Sequence, residues 1–570
     1  MSSEPPNVVS VMPWYRRRLA LLGAIGATVI VAATAGLAAT RLLAPPALTG
    51  PTLLATHLPA DTLVYAELDL EPDGGQAAAL DALNERLAAF GAGDGAARLL
   101  DPLLEDLSGG DYSYSRDIRP WTDGRVALAV LDWGSLGQVP NPLVPLPTDP
   151  VAPGTVILIG VEDRAGATAF TDRLRAAADE MGLGFASSQK GSWTTWTAAP
   201  DAPGQVGIAY AIGDELLVVA TRGSDVREVI DLHDEGGETL AGVESFRSEV
   251  ARLPAERVGT LLTRAGSLPT GLLGGGLLGI GESTTADLIF GLLPLDQAGA
   301  LVLAEDRVIF ERWQPAGTGV AQPAERQNDR LAADFPVETS VYAELPEFGR
   351  LLSAIGGAIA DDAERLGGEE GAREVARIEG LLGRDLGRIG EWLGDVSFGV
   401  GAGGVPAVGM VGEIQDAESA AQVLDGVVEL MAGPGAPVER EEVGDAQVVR
   451  IEVPFLFGSI TVELALAGDR VLFGSEGFAD WIELAPEALG DDPSYRSALE
   501  ETDGVENAGI VYLSVERVLQ ALRDDPSLQP TDWATLEPKL ASIRDAIMVT
   551  FVEDGSVRSR LEIRLADPDP

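Results

Sequence analysis

The stretch LPADTLVYAELDL at residues 58–70 returns as FPVETSVYAELPE at residues 335–347. Seven of the eleven positions from Leu58/Phe335 to Leu68/Leu345 are identical, among them Pro59/Pro336, Tyr65/Tyr342 and Glu67/Glu344. A true internal repeat must carry its later landmarks in the same order. They recur. Each motif has the β-branched and aromatic residues of a strand and runs into an amphipathic helix, with Leu80, Leu83, Leu87 and Phe90 on one face of the first and Phe348, Leu352, Ile355 and Ile359 on one face of the second. PWTDGRVALAV (120–130) answers EWLGDVSFGV (391–400), each a tryptophan, a turn and a strand. VILIGVEDRAGATAFTDRL (156–174) answers AVGMVGEIQDAESAAQVLDGV (407–427), with Asp163 and Asp416 where helix N-caps belong.

Three landmarks follow. AYAIGDELLVVA (209–220) and ELALAGDRVLFG (463–474) each place glycine first in a two-residue hairpin loop. FRS at 246–248 matches YRS at 495–497, and ALVLAEDRVIF (300–310) matches IMVTFVEDGSV (547–557). Hairpins dominate and no run of βαβ units demands a parallel sheet, so the predicted class is α+β. We expect an N-terminal transmembrane helix followed by two tandem homologous domains, each a mainly antiparallel sheet with helices on one face. The divisions are a cytoplasmic tail 1–18, a span 19–40, a Pro-containing spacer 41–56, repeat 1 at 57–313, a linker 314–334 and repeat 2 at 335–570.

The span rests on Arg16, Arg17 and Arg18, an uncharged run from Leu19 to Thr40, and Arg41. Its 22 residues reach about 33 Å as a helix, enough for a hydrocarbon core of about 30 Å. The excess of arginine on the amino side predicts a cytoplasmic N-terminus and extracytoplasmic domains. A cleaved signal peptide is the rival, with Ala33-Thr34-Ala35 as its cleavage site.

The LPAD…YA opening, the strand start after Trp121 and Trp392, and the helices capped by Asp163 and Asp416 together resemble a bacterial family known as domain of unknown function 3352. The resemblance runs over nearly everything after residue 55. It implies a membrane-anchored protein and carries over no catalytic residue.

Charge narrows the function. With 89 acidic and 40 basic residues the net charge is −49, which repels phosphate backbones and excludes nucleic acid as a partner. Without cysteine there is no disulfide framework, thiolate nucleophile or cysteine zinc site. The two histidines, His57 and His233, sit beside no nucleophile motif and read as surface residues. Ser187 and Lys190 have S-x-x-K spacing, but their surroundings read as a hairpin, K-T-G is missing, and that chemistry needs a helix start. Gly274–Gly279 and Gly399–Gly404 fit G-x-G-x-x-G without the strand–helix context that binds dinucleotides. Asp69, Glu71 and Asp73 begin like a calcium loop, yet Leu80 stands where a bidentate glutamate is required. Tyr65 and Glu67, echoed by Tyr342 and Glu344, share one strand face, as a cross-strand pairing or a ligand site would have it. The sequence therefore nominates no catalytic, cofactor or metal residue. The expected role is non-enzymatic binding or scaffolding at the cell envelope, with the bilayer and an envelope protein or apolar ligand as partners. The alternative is an extracytoplasmic hydrolase using paired carboxylates.

Overall fold

The structure, a computed structural model, describes residues 53–88, 95–134, 153–180, 184–198, 207–264, 297–315, 330–401, 407–432, 438–444, 446–455, 458–483, 486–502, 504, 507–524, 537–553 and 555–567. The tail, the span at 19–40, most of the spacer, Phe90, the Gly274–Gly279 stretch and most of the 314–334 linker lie outside these residues. Among the described residues no helix is long and apolar enough to cross a membrane. They fall into two compact units, parted at Glu305/Asp306, and each is a mixture of helix and antiparallel sheet.

The first unit begins with β1 (Val64–Asp69), α1 (Gly74–Arg86), α2 (Ala97–Ser108) and β2 (Thr122–Asp132). Then come β3 (Gly154–Val161), α3 (Arg164–Glu180), β4 (Phe185–Lys190), β5 (Trp193–Ala198), β6 (Ile208–Ile212) and β7 (Leu216–Ala220). It closes with α4 (Gly223–Glu235), α5 (Glu244–Val250), β8 (Gly259–Thr263) and β9 (Gln297–Leu303). Antiparallel pairing orders the sheet β9-β8-β1-β2-β3-β7-β6-β5-β4.

In the second unit the order of elements is β10 (Arg307–Pro315), β11 (Thr339–Leu345), α6 (Phe348–Leu382, broken at Gly368), β12 (Leu393–Gly401), β13 (Val408–Ile414) and α7 (Ala417–Ala432). Next are β14 (Val438–Val443), β15 (Ala446–Phe455), β16 (Gly458–Ala467), β17 (Arg470–Ser475), α8 (Phe478–Glu483) and α9 (Pro493–Glu501). β18 (Ile510–Ser514), α10 (Val515–Asp524), β19 (Ile543–Glu553) and β20 (Ser556–Leu565) complete it. Its sheet runs β10-β20-β19-β18-β11-β12-β13-β17-β16-β15-β14. From β19 to β14 this is the first unit's order strand for strand, with ten added to each number. Small features recur too: Pro59 bridges Thr239 as Pro336 bridges Ala488.

Helices cover both faces of each sheet, where the sequence predicted one. Ile157, Ile159 and Val161 of β3 pack towards Phe170 of α3, while the intervening Val156, Leu158 and Gly160 point the other way. On that opposite face α4 buries Val226, Val229 and Ile230, and α5 buries Phe246. The almost unbroken apolar run of β3 is the signature of a strand covered on both sides. In α1 the buried residues are Gln76, Ala79, Leu83 and Asn84, while Leu80 and the C-cap Leu87 are only half-buried. Ile359 of α6 is 46% exposed, off the buried face predicted for it.

Two hairpin details divide the copies. Between β16 and β17 the loop is Gly468-Asp469, with Gly468 at φ +59 as a two-residue turn requires. Between β6 and β7 the pairing of Ile212 with Leu217, and the Gly213 N–H to Leu216 carbonyl bond of 2.9 Å, leave Asp214-Glu215 at the tip. Gly213 therefore flanks that turn instead of opening it. The caps hold as read: Asp163 Oδ1 accepts from the Ala165 amide at 2.9 Å, and Asp416 accepts from the amide and hydroxyl of Ser419.

Candidate functional site

The strand period of two turns Tyr65 and Glu67 of β1 to one face, and both are buried. The Tyr65 hydroxyl donates to Glu67 Oε2. The second unit repeats the arrangement, with the Tyr342 hydroxyl 2.5 Å from Glu344 Oε2. The bond runs along one strand rather than across two. Each tyrosine ring meets the aromatic of the FRS or YRS helix edge-on: Phe246 at 6.0 Å from Tyr65, Tyr495 at 5.9 Å from Tyr342. A feature built twice in the same place belongs to the scaffold.

What surrounds the carboxyl differs between the copies. Asp69 of β1 lies opposite Arg125 of β2, and Glu67 opposite Thr260 of β8, three residues after Arg257. Glu67, Arg125, Arg257 and Thr260, with Gly74 and Gly75 from the start of α1, line a pocket of about 300 Å³. The corresponding positions in the second unit are Asp395, two residues before the Ser397 partner of Glu344, and Asn507, three before its Ile510 partner. Both are closed onto backbone. Asp395 Oδ1 accepts from the Glu347 amide at 2.8 Å, while Asn507 donates to the Gly504 carbonyl at 2.6 Å and accepts from the Gly509 amide at 2.9 Å.

Burial governs the electrostatics of the pocket. It pushes Glu67 up to about 8, although the Tyr65 bond and the charges of Arg125 and Arg257 pull the other way. At neutral pH Glu67 is therefore mostly the protonated acid and presents an O–H. Desolvation draws Arg257 down to about 9, with Glu67 opposing, so the guanidinium keeps its charge at neutral pH. Arg125 is paired with Asp123. Burial also raises Asp69, whose Oδ1 accepts from the Glu71 amide at 3.1 Å. At the rim Glu256 leans over α1, its Oε2 standing 2.8 Å from where a Cβ on Gly75 would lie.

Other candidates from the sequence disperse. Ser187 and Lys190 lie in the exposed strand β4, with Lys190 bound to Asp231 and Glu235, so no helix presents the serine. Asp69, Glu71 and Asp73 pass from a strand end into α1, and no group of three or more metal-ligating side chains forms among the described residues. Gly399 and Gly401 lie inside β12, and the rest of that motif up to β13 is outside the described residues except Val400. An apolar cavity against α3, lined by Ile157, Phe170, Leu174 and Phe185, holds only about 40 Å³, far below a drug-sized ligand.

Sequence reasoning missed Arg125 and Arg257. A signal existed for the first: in the aligned copies Arg125 of PWTDGRVALAV falls opposite Asp395 of EWLGDVSFGV. It also missed that His57 and His233 stack, their ring centroids 5.3 Å apart.

Fold and site thus define an α+β protein on antiparallel sheets, whose first unit carries a polar pocket lined by two arginines. Residues 20–274 match the model of a family described as a protein of unknown function (DUF3352), so this segment is similar to that family. The match ends at residue 274, so the second unit lies outside it, short of the coverage the sequence resemblance implied. No curated protein and no solved structure matches the chain.

Proposed function

We propose that this chain is a membrane-tethered, extracytoplasmic binding protein without catalytic activity, made by duplication of one module, whose first module takes a small oxyanion-bearing ligand. The observation that carries the reading is the asymmetry between copies. Both keep the buried Tyr–Glu pair, yet only at the first do arginines occupy the flanking positions and line a pocket: Arg125, paired with Asp123, and Arg257, which also donates to the Pro254 carbonyl, stand where the second has Asp395 and Asn507. A carboxylic acid O–H and two guanidinium groups are all donors, matched to a carboxylate or phosphate. The carboxylates of Asp69, Asp73 and Glu256 on the same wall bias the pocket against highly charged anions and towards small ones.

Calorimetric titration of the full-length protein with acetate and with inorganic phosphate tests this. Saturable binding of either, weakened at least about tenfold in Arg257→Gln, is the expected result, since a charge-assisted bond is worth more than about 1.4 kcal/mol. Wild-type protein that takes up neither ligand at about 10 mM would remove the reading. The tether rests on the uncharged run 19–40 between Arg16–Arg18 and Arg41. It predicts that the protein stays in the membrane fraction through alkaline extraction and is cut by protease added outside intact cells. Release by alkali would refute the tether alone.

A second reading has its own support. Glu67 and Asp69 line the same pocket, one carboxyl holding its proton at neutral pH beside another that can ionise, the division of roles a general acid and base need. Turnover of a glycan or ester substrate that vanishes in Glu67→Gln would favour that hydrolase.

A further inference from the structure

The chain has two histidines, far apart in sequence, and the fold stacks one upon the other. Their ring centroids are 5.3 Å apart at 21° between planes, and the Trp193 indole meets His233 edge-on at 5.2 Å. His57 ends the short 3₁₀ turn Leu54–His57 that leads into β1, and His233 lies in the last turn of α4. The turn is docked, not free: Leu54 and Ala55 are buried, and the Leu58 carbonyl accepts from the Leu240 amide at 2.9 Å. Its Ala55 amide bonds the hydroxyl of Tyr65, whose proton goes to Glu67. One continuous set of contacts therefore joins the imidazole pair to the buried acid.

We propose that the His57–His233 stack is an acid-sensitive latch, holding the lead-in turn against α4 while at most one ring is charged and releasing it when both are. The two rings are unequally provided for. His233 Nδ1 lies 3.0 Å from Asp234 Oδ1, a carboxylate that also accepts from Trp193 Nε1 at 3.1 Å and is held below its usual range by these bonds. Asp231 and Glu235, elsewhere on α4, are engaged by Lys190 of β4. His57 has no such carboxylate bonded to it among the described residues. Burial lowers its proton affinity first, then His233, with Arg125 of β2 acting in the same sense and Glu215 of the β6–β7 hairpin against. The segment Leu240–Gly242 packed on the turn offers no titratable group.

The geometry sets what a proton on His57 meets. Asp234 stands beside His233 as a counter-charge, whereas a charge on His57 would face the His233 ring with no carboxylate bonded to it, and two charged rings stacked face to face repel. The sign agrees with linkage: His57 is depressed below 6.5 in the fold, so the contribution of the latch is complete above that pH and is lost as pH falls through the lower folded value. The second unit has the same turn, Arg330–Asp334, and the same Tyr–Glu pair without a histidine, so the device belongs to the first unit alone.

The inference does not depend on the nature of the ligand, and neither does its test. Full-length protein labelled at histidine shows ring signals from two residues only. We expect a coupled titration in which His57 protonates below 6.5, its midpoint rising towards 6.5 in His233→Gln. Hydrogen exchange of the 54–57 amides, corrected for the intrinsic pH dependence, should lose about tenfold protection between about pH 7 and about pH 5. The double variant His57→Phe, His233→Phe keeps an aromatic pair without the proton and should lose none. A His57 midpoint indifferent to His233→Gln, or equal protection at both pH values in the wild type, overturns the latch.

Discussion

Replacing Asp545 by alanine is expected to lower the stability of the second unit by about 3–5 kcal/mol, the usual cost of leaving a buried charge without its partner. Arg564 is fully buried, and so is Asp545. They meet through two parallel bonds, Nε to Oδ1 at 2.6 Å and Nη2 to Oδ2 at 2.8 Å, and the guanidinium also reaches the Ser494 carbonyl at 3.1 Å. β19 and β20 place the two side by side in register, under α9. The partner variant separates charge from packing. Asp545→Ala with Arg564→Met removes both ions and fills the space, so it should recover most of the loss. Urea unfolding of the full chain measures both, read on the transition that the substitutions move. A loss under about 1 kcal/mol for Asp545→Ala would show that the pair is wet rather than buried.

Glu67→Gln carries an effect of similar size, and its signature is pH dependence. Folding raises Glu67 from 4.5 to about 8. Below 4.5 the group is protonated in both states and costs nothing. Between 4.5 and about 8 the unfolded chain ionises while the folded one does not, so stability drains away as pH rises, and above about 8 the penalty is complete. At about 1.4 kcal/mol per pH unit the whole span is of the order of 5 kcal/mol. Glutamine imitates the protonated acid at every pH and still accepts the Tyr65 hydroxyl. The variant should therefore match the wild type at low pH and exceed it above about pH 8, seen as diverging urea midpoints. Parallel pH profiles for the two proteins would mean that Glu67 is ionised throughout.

These two carboxylates show how unevenly the sequence could be read. Glu67 was visible because its motif is repeated, with Tyr65 two residues away on the same strand face. Its acidity was not, because burial depends on what closes over β1, namely α1 and the segment before β8. Asp545 lies in a strand whose alternation is clear, but nothing local distinguishes a buried arginine on the neighbouring strand from a surface one. The helices on the second sheet face were half-legible: Val226, Val229 and Ile230 fall at helical spacing, and β3 has the unbroken apolar run of a doubly covered strand. The loop at Gly213 was misplaced because a Gly-Asp dipeptide suits either of two positions, and strand register, settled by which side chains reach the core, decides between them.

The amino-acid order by itself determined the class of fold, the duplication with its landmarks in sequence, the apolar run near the amino end and the strongly acidic net charge. Each of these is set by local periodicity, turn chemistry or summed charge, which need no knowledge of distant contacts. Tertiary structure alone decided that Arg257 stands beside Glu67, that the acid keeps its proton, and that two histidines remote in sequence share a face. Proton affinity and ring stacking depend on desolvation and on groups brought within a few ångströms, and only the closed fold creates those distances.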